Sequence, residues 1–166
     1  TIGDVYCDIK KALSAAGISA SALEAREIIG VAMGISAQKI SGSLDTFIAD
    51  ETIGKIETLT NERLAGKPCA YIVGEWDFYS LTFKVTEDVL IPRQDTEALC
   101  DVILSLYDKK DKPARILDLC CGSGCVGITL AKHMADSHVV LMDLSPAALA
   151  VAKENIERHK LNGRVY

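Results

Sequence analysis

The chain has 166 residues, 49% hydrophobic and 25% charged, with a formal net charge of −5; this balance excludes a disordered, collagen-like or coiled-coil chain and fits one domain or two small ones. Residues 1–68 carry 7 basic and 9 acidic side chains and residues 69–166 carry 11 and 14, so neither part has the basic footprint of a nucleic-acid binder. No apolar run approaches the roughly 20 residues of a membrane span, and no basic segment followed by an apolar core opens the chain, so neither a membrane anchor nor a signal peptide is expected.

The first element is helical. Ile2, Val5, Ile9 and Leu13 recur at three- and four-residue steps, one face of a helix that Gly17 ends. Ser21-Ala-Leu-Glu24 has the pattern of a capping box, and Leu23, Ile28, Ala32 and Met33 carry a second helix to Gly34. Asp50 to Ala65 is a third, with Ile53, Ile56, Leu59 and Leu64 on its apolar side and Gly66-Lys67-Pro68 as its stop. Residues 1–68 therefore form a small all-α bundle. They contain no His and one Cys, Cys7, and no catalytic constellation.

Residues 69–92 change character. Tyr71, Ile72, Val73, Trp76, Phe78, Tyr79, Leu81, Phe83, Val85, Val89, Leu90 and Ile91 favour extended structure, and the alternation from Phe78 to Val85 suggests a β-hairpin turning near Tyr79-Ser80. The aromatics are expected as a satellite core between two domains, or as the wall of a ligand pocket. From Arg93 the pattern is α/β: a helix from Asp95 to Tyr107 with Ala98, Leu99, Val102, Ile103 and Leu106 on one face, and a solvated loop at Lys109-Lys110-Asp111-Lys112. A strand follows over Arg115–Leu119, then a helix over Cys125–Met134 and a strand over His138–Asp143. The last helix is capped by Ser145 and opened by Pro146. Arg164-Val165-Tyr166 begins a third strand. Successive βα units imply a parallel, doubly wound sheet.

The ligand signal is Asp118-Leu-Cys-Cys-Gly-Ser-Gly-Cys-Val-Gly127, placed after a strand and before a helix, with Asp143 at the end of the next strand. Glycines let a backbone approach a ligand, and a terminal carboxylate can hold both ribose hydroxyls of an adenosine cofactor. Asp118 chooses between cofactors. A carboxylate there repels the pyrophosphate that a dinucleotide places at this helix start. It suits the sulfonium and ammonium of S-adenosylmethionine. The plainer alternatives are a loop- or helix-capping role for Asp118 and an N-cap role for Asp143. The six cysteines do not follow a secreted disulfide framework and are expected as reduced thiols of a cytoplasmic protein. Cys120, Cys121 and Cys125 have no second pair to complete a four-ligand zinc site.

Asp118-Leu-Cys-Cys-Gly-Ser-Gly-Cys125 resembles the first motif of class I S-adenosylmethionine-dependent methyltransferases. Val89-Leu-Ile-Pro-Arg-Gln-Asp-Thr-Glu97 and Asp143-Leu-Ser-Pro-Ala-Ala-Leu-Ala-Val-Ala-Lys-Glu-Asn155 resemble segments of the release-factor glutamine methyltransferases, the HemK-like family. The resemblance implies a helical substrate-recognition domain (1–68), a β-hairpin linker (69–92) and the first part of a Rossmann-like methyltransferase domain (93–166). It implies methylation of the Gln side-chain amide in the Gly-Gly-Gln motif of peptide-chain release factors. Cys120, Cys121, Gly122, Ser123 and Gly124 would line the methionine and adenosine side and Asp143 would bind the ribose. Asp118 would order the loop, and Pro92, Arg93 and Thr96 would lie at the cofactor's edge.

Three features depart from the pattern. Cys120 stands where the family has the first loop glycine, a position a β-region backbone would tolerate. Gln94 replaces an expected Pro. The Asn-Pro-Pro-Tyr motif that holds the substrate Gln is absent, so no catalytic residue is assigned and the 166 residues alone are expected to be inactive. The fourth strand is also missing, which would leave the strand at 116–119 with a bare edge and a tendency to self-associate. The competing readings are another class I methyltransferase acting on protein or nucleic acid, a nicotinamide-dependent oxidoreductase, and a non-catalytic protein-binding module.

Overall fold

A computed structural model describes residues 1–107 and 114–166; the loop expected at Lys109–Lys112 lies outside them. The chain divides into two compact units, residues 1–73 and 74–166.

The first unit is helical: α1 (Ile2–Ala15), α2 (Ser21–Met33), α3 (Ala37–Ile40), α4 (Asp50–Leu64) and α5 (Cys69–Val73). Its core is mainly isoleucine, with Ile2, Ile9, Ile28, Ile29, Ile40, Ile56 and Ile72 packed around Leu13 and Ala25. The periodicity of α1 and the limits of α4 follow the sequence pattern. The capping box expected at Ser21 does not form. Ser21 is the first residue of α2 and is buried, Ala20 is the N-cap, and no side chain caps this end. Glu24 is instead drawn to Arg63 of α4, Nε to Oε2 2.6 Å, with both side chains largely buried. The capping box lies at α1, between Thr1 and Asp4.

The short helices α3 and α5 are not visible as helical patterns. Tyr71-Ile72-Val73 favours a strand locally, yet α5 folds as a helix and buries Ala70 and Ile72. The unit boundary thus falls at Val73/Gly74, five residues beyond the 68/69 boundary read from sequence.

The second unit opens with the hairpin, β1 (Glu75–Phe78) and β2 (Leu81–Lys84), antiparallel with Trp76 opposite Phe83 and Phe78 opposite Leu81. The turn is at Tyr79-Ser80, both with positive φ (52° and 60°), the twist of a type I′ turn. Phe78 and Phe83 meet edge-on, centroids 6.2 Å apart, inside this unit's own core and not in a satellite between domains. A 3-10 turn (Gln94–Thr96) leads into α6 (Glu97–Leu106). Then come β3 (Arg115–Leu119), α7 (Cys125–His133), β4 (His138–Met142) and α8 (Pro146–Arg158).

Strands β3 and β4 are parallel, with Leu117 opposite Val140 and Leu119 opposite Met142. Beyond α8 the chain returns to β4. Val139 N–H donates to Arg164 O at 2.8 Å, Tyr166 N–H to Val139 O at 3.0 Å, and Leu141 N–H to Tyr166 O at 2.8 Å. The third strand therefore begins where it was expected. One face of the sheet, with Val139 and Leu141, is buried with Ile128 and Ile156 of α7 and α8. The other is bare: Leu117, Leu119, Val140 and Met142 are 44–62% exposed. On α6 only Cys100 is fully buried, and Leu99, Val102 and Leu106, expected on its packed face, are exposed.

Candidate cofactor-binding site

The site is built where β3 and β4 end side by side. Cys121 N–H donates to Met142 O at 3.0 Å, extending the strand ladder by one bond, and Gly124 N–H then turns back to Cys121 O at 2.8 Å. Three of the five residues from 120 to 124 have positive φ: Cys120 (59°), Gly122 (54°) and Gly124 (77°). Cys120 is therefore left-handed and not in the β region that its tolerance was expected to require. A Cβ at Gly122 would meet nothing within 4 Å, so this part of the loop is open to an approaching ligand. Gly127 is closed: its added Cβ would lie 3.0 Å from both Asp118 Oδ2 and Val139 Cγ1 and would strike Leu141. It lets α7 rest directly against the strands.

Both predicted carboxylates come to this loop, and backbone amides orient each. Asp143 Oδ2 accepts from Gly122 N–H at 2.9 Å and Oδ1 from Ser145 N–H at 3.0 Å. The amides of Ser145 and Gly122 hold its carboxyl below the usual carboxylate range. The carboxylate can accept further bonds at both oxygens, enough for two ribose hydroxyls. The N-cap of α8 is Ser145, whose Oγ accepts from Ala148 N–H at 3.2 Å, so Asp143 does not cap that helix.

Asp118 Oδ2 accepts from Gly127 N–H at 2.9 Å, a free amide in the first turn of α7. The capping role is thus real. Burial pushes its carboxyl above the usual range, and the nearby Asp143 charge adds to the rise. Two carboxylates beside one loop give it negative charge that favours a cation over an anion.

Of the remaining predicted residues, Cys120 is exposed and Cys121 and Ser123 are buried. Burial pushes the thiols of Cys121 and Cys125 up to about 11. Pro92 is buried, while Arg93 and Thr96 bracket the 3-10 turn before α6, Thr96 N–H donating to Arg93 O at 3.0 Å. Among the described residues no group of three His, Cys, Asp or Glu side chains could hold a metal, and no helix is long and apolar enough to cross a membrane.

The sequence reading missed Asn155. It is fully buried on α8, and its Nδ2 donates to Ser123 O in the loop at 2.9 Å. The available signal was a polar residue on an apolar helical stripe, with Val151, Ala152 and Ile156 as neighbours.

Residues 5–74 match the PrmC N-terminal domain and residues 95–166 match the Methyltransferase small domain. A release factor glutamine methyltransferase of Moorella thermoacetica is 36% identical over 99% of this chain and 58% of its own length. One from Cereibacter sphaeroides is 38% identical over 86% of this chain and 50% of its own length. A bifunctional methyltransferase of Rickettsia prowazekii is 30% identical over 99% of this chain and 35% of its own. Among solved structures, a precorrin-6y C5,15-methyltransferase from Geobacter metallireducens is similar at 17% identity with a TM-score of 0.40, over 51% of this chain and 42% of its own. The chain spans about half the length of the curated relatives it matches. A methyltransferase domain implies S-adenosylmethionine as methyl donor, and the open Gly122 loop between two carboxylates fits that cation. The two domain matches leave out only residues 1–4 and 75–94. The chain therefore carries a PrmC N-terminal domain followed by a methyltransferase small domain, and over most of its length it is similar to release factor glutamine methyltransferases.

Proposed function

We propose that residues 118–143 bind S-adenosylmethionine and that the complete gene product methylates the side-chain amide of Gln in the Gly-Gly-Gln motif of peptide-chain release factors. The observation that carries the cofactor reading is the bond from Gly122 N–H to Asp143 Oδ2. It pins a carboxylate at a strand tip beside an open glycine loop. Asp143 holds the ribose hydroxyls. Cys120, Cys121, Gly122, Ser123 and Gly124 form the floor under the methionine and adenosine, and Asp118, in placing α7, offers negative charge toward the methionine ammonium. The sulfonium of the bound cofactor supplies the methyl group. These residues hold and orient it, which is catalysis by positioning.

The names of the Moorella and Cereibacter relatives support the substrate. A release factor is the protein partner, with residues 1–68 as its recognition domain and 69–92 as the linker; neither nucleic acid nor membrane is contacted, and the reaction is cytoplasmic. The test is label transfer from methyl-tritiated S-adenosylmethionine to an intact release factor by the complete gene product. Label on the Gln of Gly-Gly-Gln, abolished when that Gln is replaced by Ala, is expected. Label on another residue, or on nucleic acid alone, contradicts the reading.

A further inference from the structure

The loop from Cys120 to Gly124 has three anchors. Two come from the strand ends: Cys121 N–H on Met142 O and Gly122 N–H on Asp143. The third comes from a distant side chain. Asn155 Nδ2 donates to Ser123 O at 2.9 Å and also to Lys84 O at 3.0 Å, and its Oδ1 accepts from Lys84 N–H at 2.7 Å.

Only one orientation of the carboxamide fits, since both carbonyls need a donor and the amide needs an acceptor. Asn155 therefore acts on β2 as a further strand would, taking both backbone groups of Lys84. With its second N–H it fixes the carbonyl between Gly122 and Gly124, both of which have positive φ. The residue is wholly buried, so water cannot replace a lost bond and each unmade one is costly. The side chain of Lys84 also pairs with Glu154, the neighbour of Asn155 on α8, Nζ to Oε2 2.5 Å.

We infer that Asn155 is a positioning residue of the cofactor loop, holding the Ser123 carbonyl in place with the β1–β2 hairpin as its fixed reference. The inference builds on the cofactor reading proposed above but makes a claim about the loop itself. A peptide unit flanked by two glycines has little intrinsic preference. Without the third anchor this unit keeps only the bond from Gly124 N–H to Cys121 O, which lies inside the loop itself, so the loop can shift as a piece and the Gly122 amide that faces Asp143 is less firmly held in register.

The test compares the parent chain with Asn155→Leu, which removes all three bonds at similar volume, and Asn155→Asp, which keeps the acceptor for Lys84 N–H and removes both donors. Ile156→Val, a buried change one residue away in the same core at a side chain that makes no hydrogen bond, controls for general destabilisation. Amide exchange is read at Cys121, Gly122 and Gly124 and compared with Val139 and Leu141 on β4. S-adenosylmethionine affinity is read by calorimetry at a temperature where every variant is folded.

The expected result is exchange roughly tenfold or more faster in the loop, the size of one lost buried hydrogen bond, with β4 unchanged and a matching fall in affinity. The control should leave both as in the parent. Loop exchange equal to the parent in a folded Asn155→Leu chain overturns the inference, and so does equal loosening by Ile156→Val. Failure of both Asn155 variants to fold also overturns it, since Asn155 would then serve the whole fold. A parent that binds no S-adenosylmethionine contradicts the cofactor reading, while the exchange data still decide the role of Asn155.

Discussion

Asp118 and Asp143 are the same residue type in opposite electrostatic positions. Amides lower the carboxyl of Asp143, whereas burial raises that of Asp118. A lowered folded-state value means stability that is present above the unfolded value near 3.9 and is lost as pH falls through the folded one. A raised value works the other way: its contribution is full below the unfolded value and is lost as pH rises through the folded one. At neutral pH the charge on Asp118 therefore costs stability. Asp118→Asn keeps an oxygen for Gly127 N–H and removes the charge. Thermal unfolding at pH 7 should show an unchanged or higher Tm, with weaker S-adenosylmethionine binding by calorimetry; a clear drop in Tm contradicts this account of Asp118.

The cysteines part in the same way. Burial pushes Cys69 up to about 12 and Cys100, Cys121 and Cys125 up to about 11, so they carry almost no reactive thiolate at neutral pH. Cys7 and Cys120 are exposed. Iodoacetamide at pH 7.5 should label those two first, as read by peptide mass spectrometry, and S-adenosylmethionine should protect Cys120 but not Cys7. Early labelling of Cys121 would mean that the loop is open.

At the scale of elements, local strain sits in the hairpin turn and the cofactor loop. Ser80 and Cys120 are left-handed without being glycine, at a cost of about 1–2 kcal/mol each. Ser80→Gly should therefore stabilise the hairpin by about 1 kcal/mol, less the larger chain entropy of glycine, measured by urea unfolding. A loss of stability would mean that the Ser80 side chain does more than occupy the turn.

Tyr79, its neighbour, makes one contact that glycine could not replace, its hydroxyl donating to Asp101 Oδ1 at 2.6 Å, while its backbone N–H donates to Glu97 Oε1 at 2.7 Å. The hairpin, the two βα units and the Ser145-Pro146 helix start were legible because alternation, caps and glycines are local signals. So were the two carboxylates, because adjacent strand ends bring Asp143 to the loop at Gly122, 21 residues before it. The capping box at Ser21 failed because Glu24 finds Arg63 39 residues away. Asn155 escaped because its partners lie 32 and 71 residues away. Cys69–Val73 became a helix because burying Ala70 and Ile72 outweighs a local preference for strand.

At the scale of the molecule, the two units differ in chemistry. The helical unit buries an isoleucine core and gathers no catalytic group, whereas the α/β unit gathers the carboxylates and the glycine loop. Deleting the helical unit from the complete gene product should raise KM for an intact release factor far more than for a short Gly-Gly-Gln peptide. Equal effects on both substrates would reduce that unit to a stabiliser.

Parallel sheets are normally covered on both faces, yet Leu117, Leu119, Val140 and Met142 lie on an exposed one, and β3 is paired only with β4 among the described residues. Such a face beside an open strand edge favours association. The 166-residue chain should sediment as a dimer or larger species, with weak amide protection over residues 116–143 if it is held monomeric by dilution. A monodisperse monomer at high concentration with strong protection there contradicts this.

The loop between Asp118 and Asp143 is expected to hold S-adenosylmethionine. The most direct measurement is calorimetric titration of the parent and of Asp143→Ala with S-adenosylmethionine and with NAD. The account predicts binding of S-adenosylmethionine alone, weakened roughly tenfold or more by the loss of Asp143's charge-assisted hydrogen bonds. Binding of NAD, or unchanged S-adenosylmethionine affinity in Asp143→Ala, would contradict it.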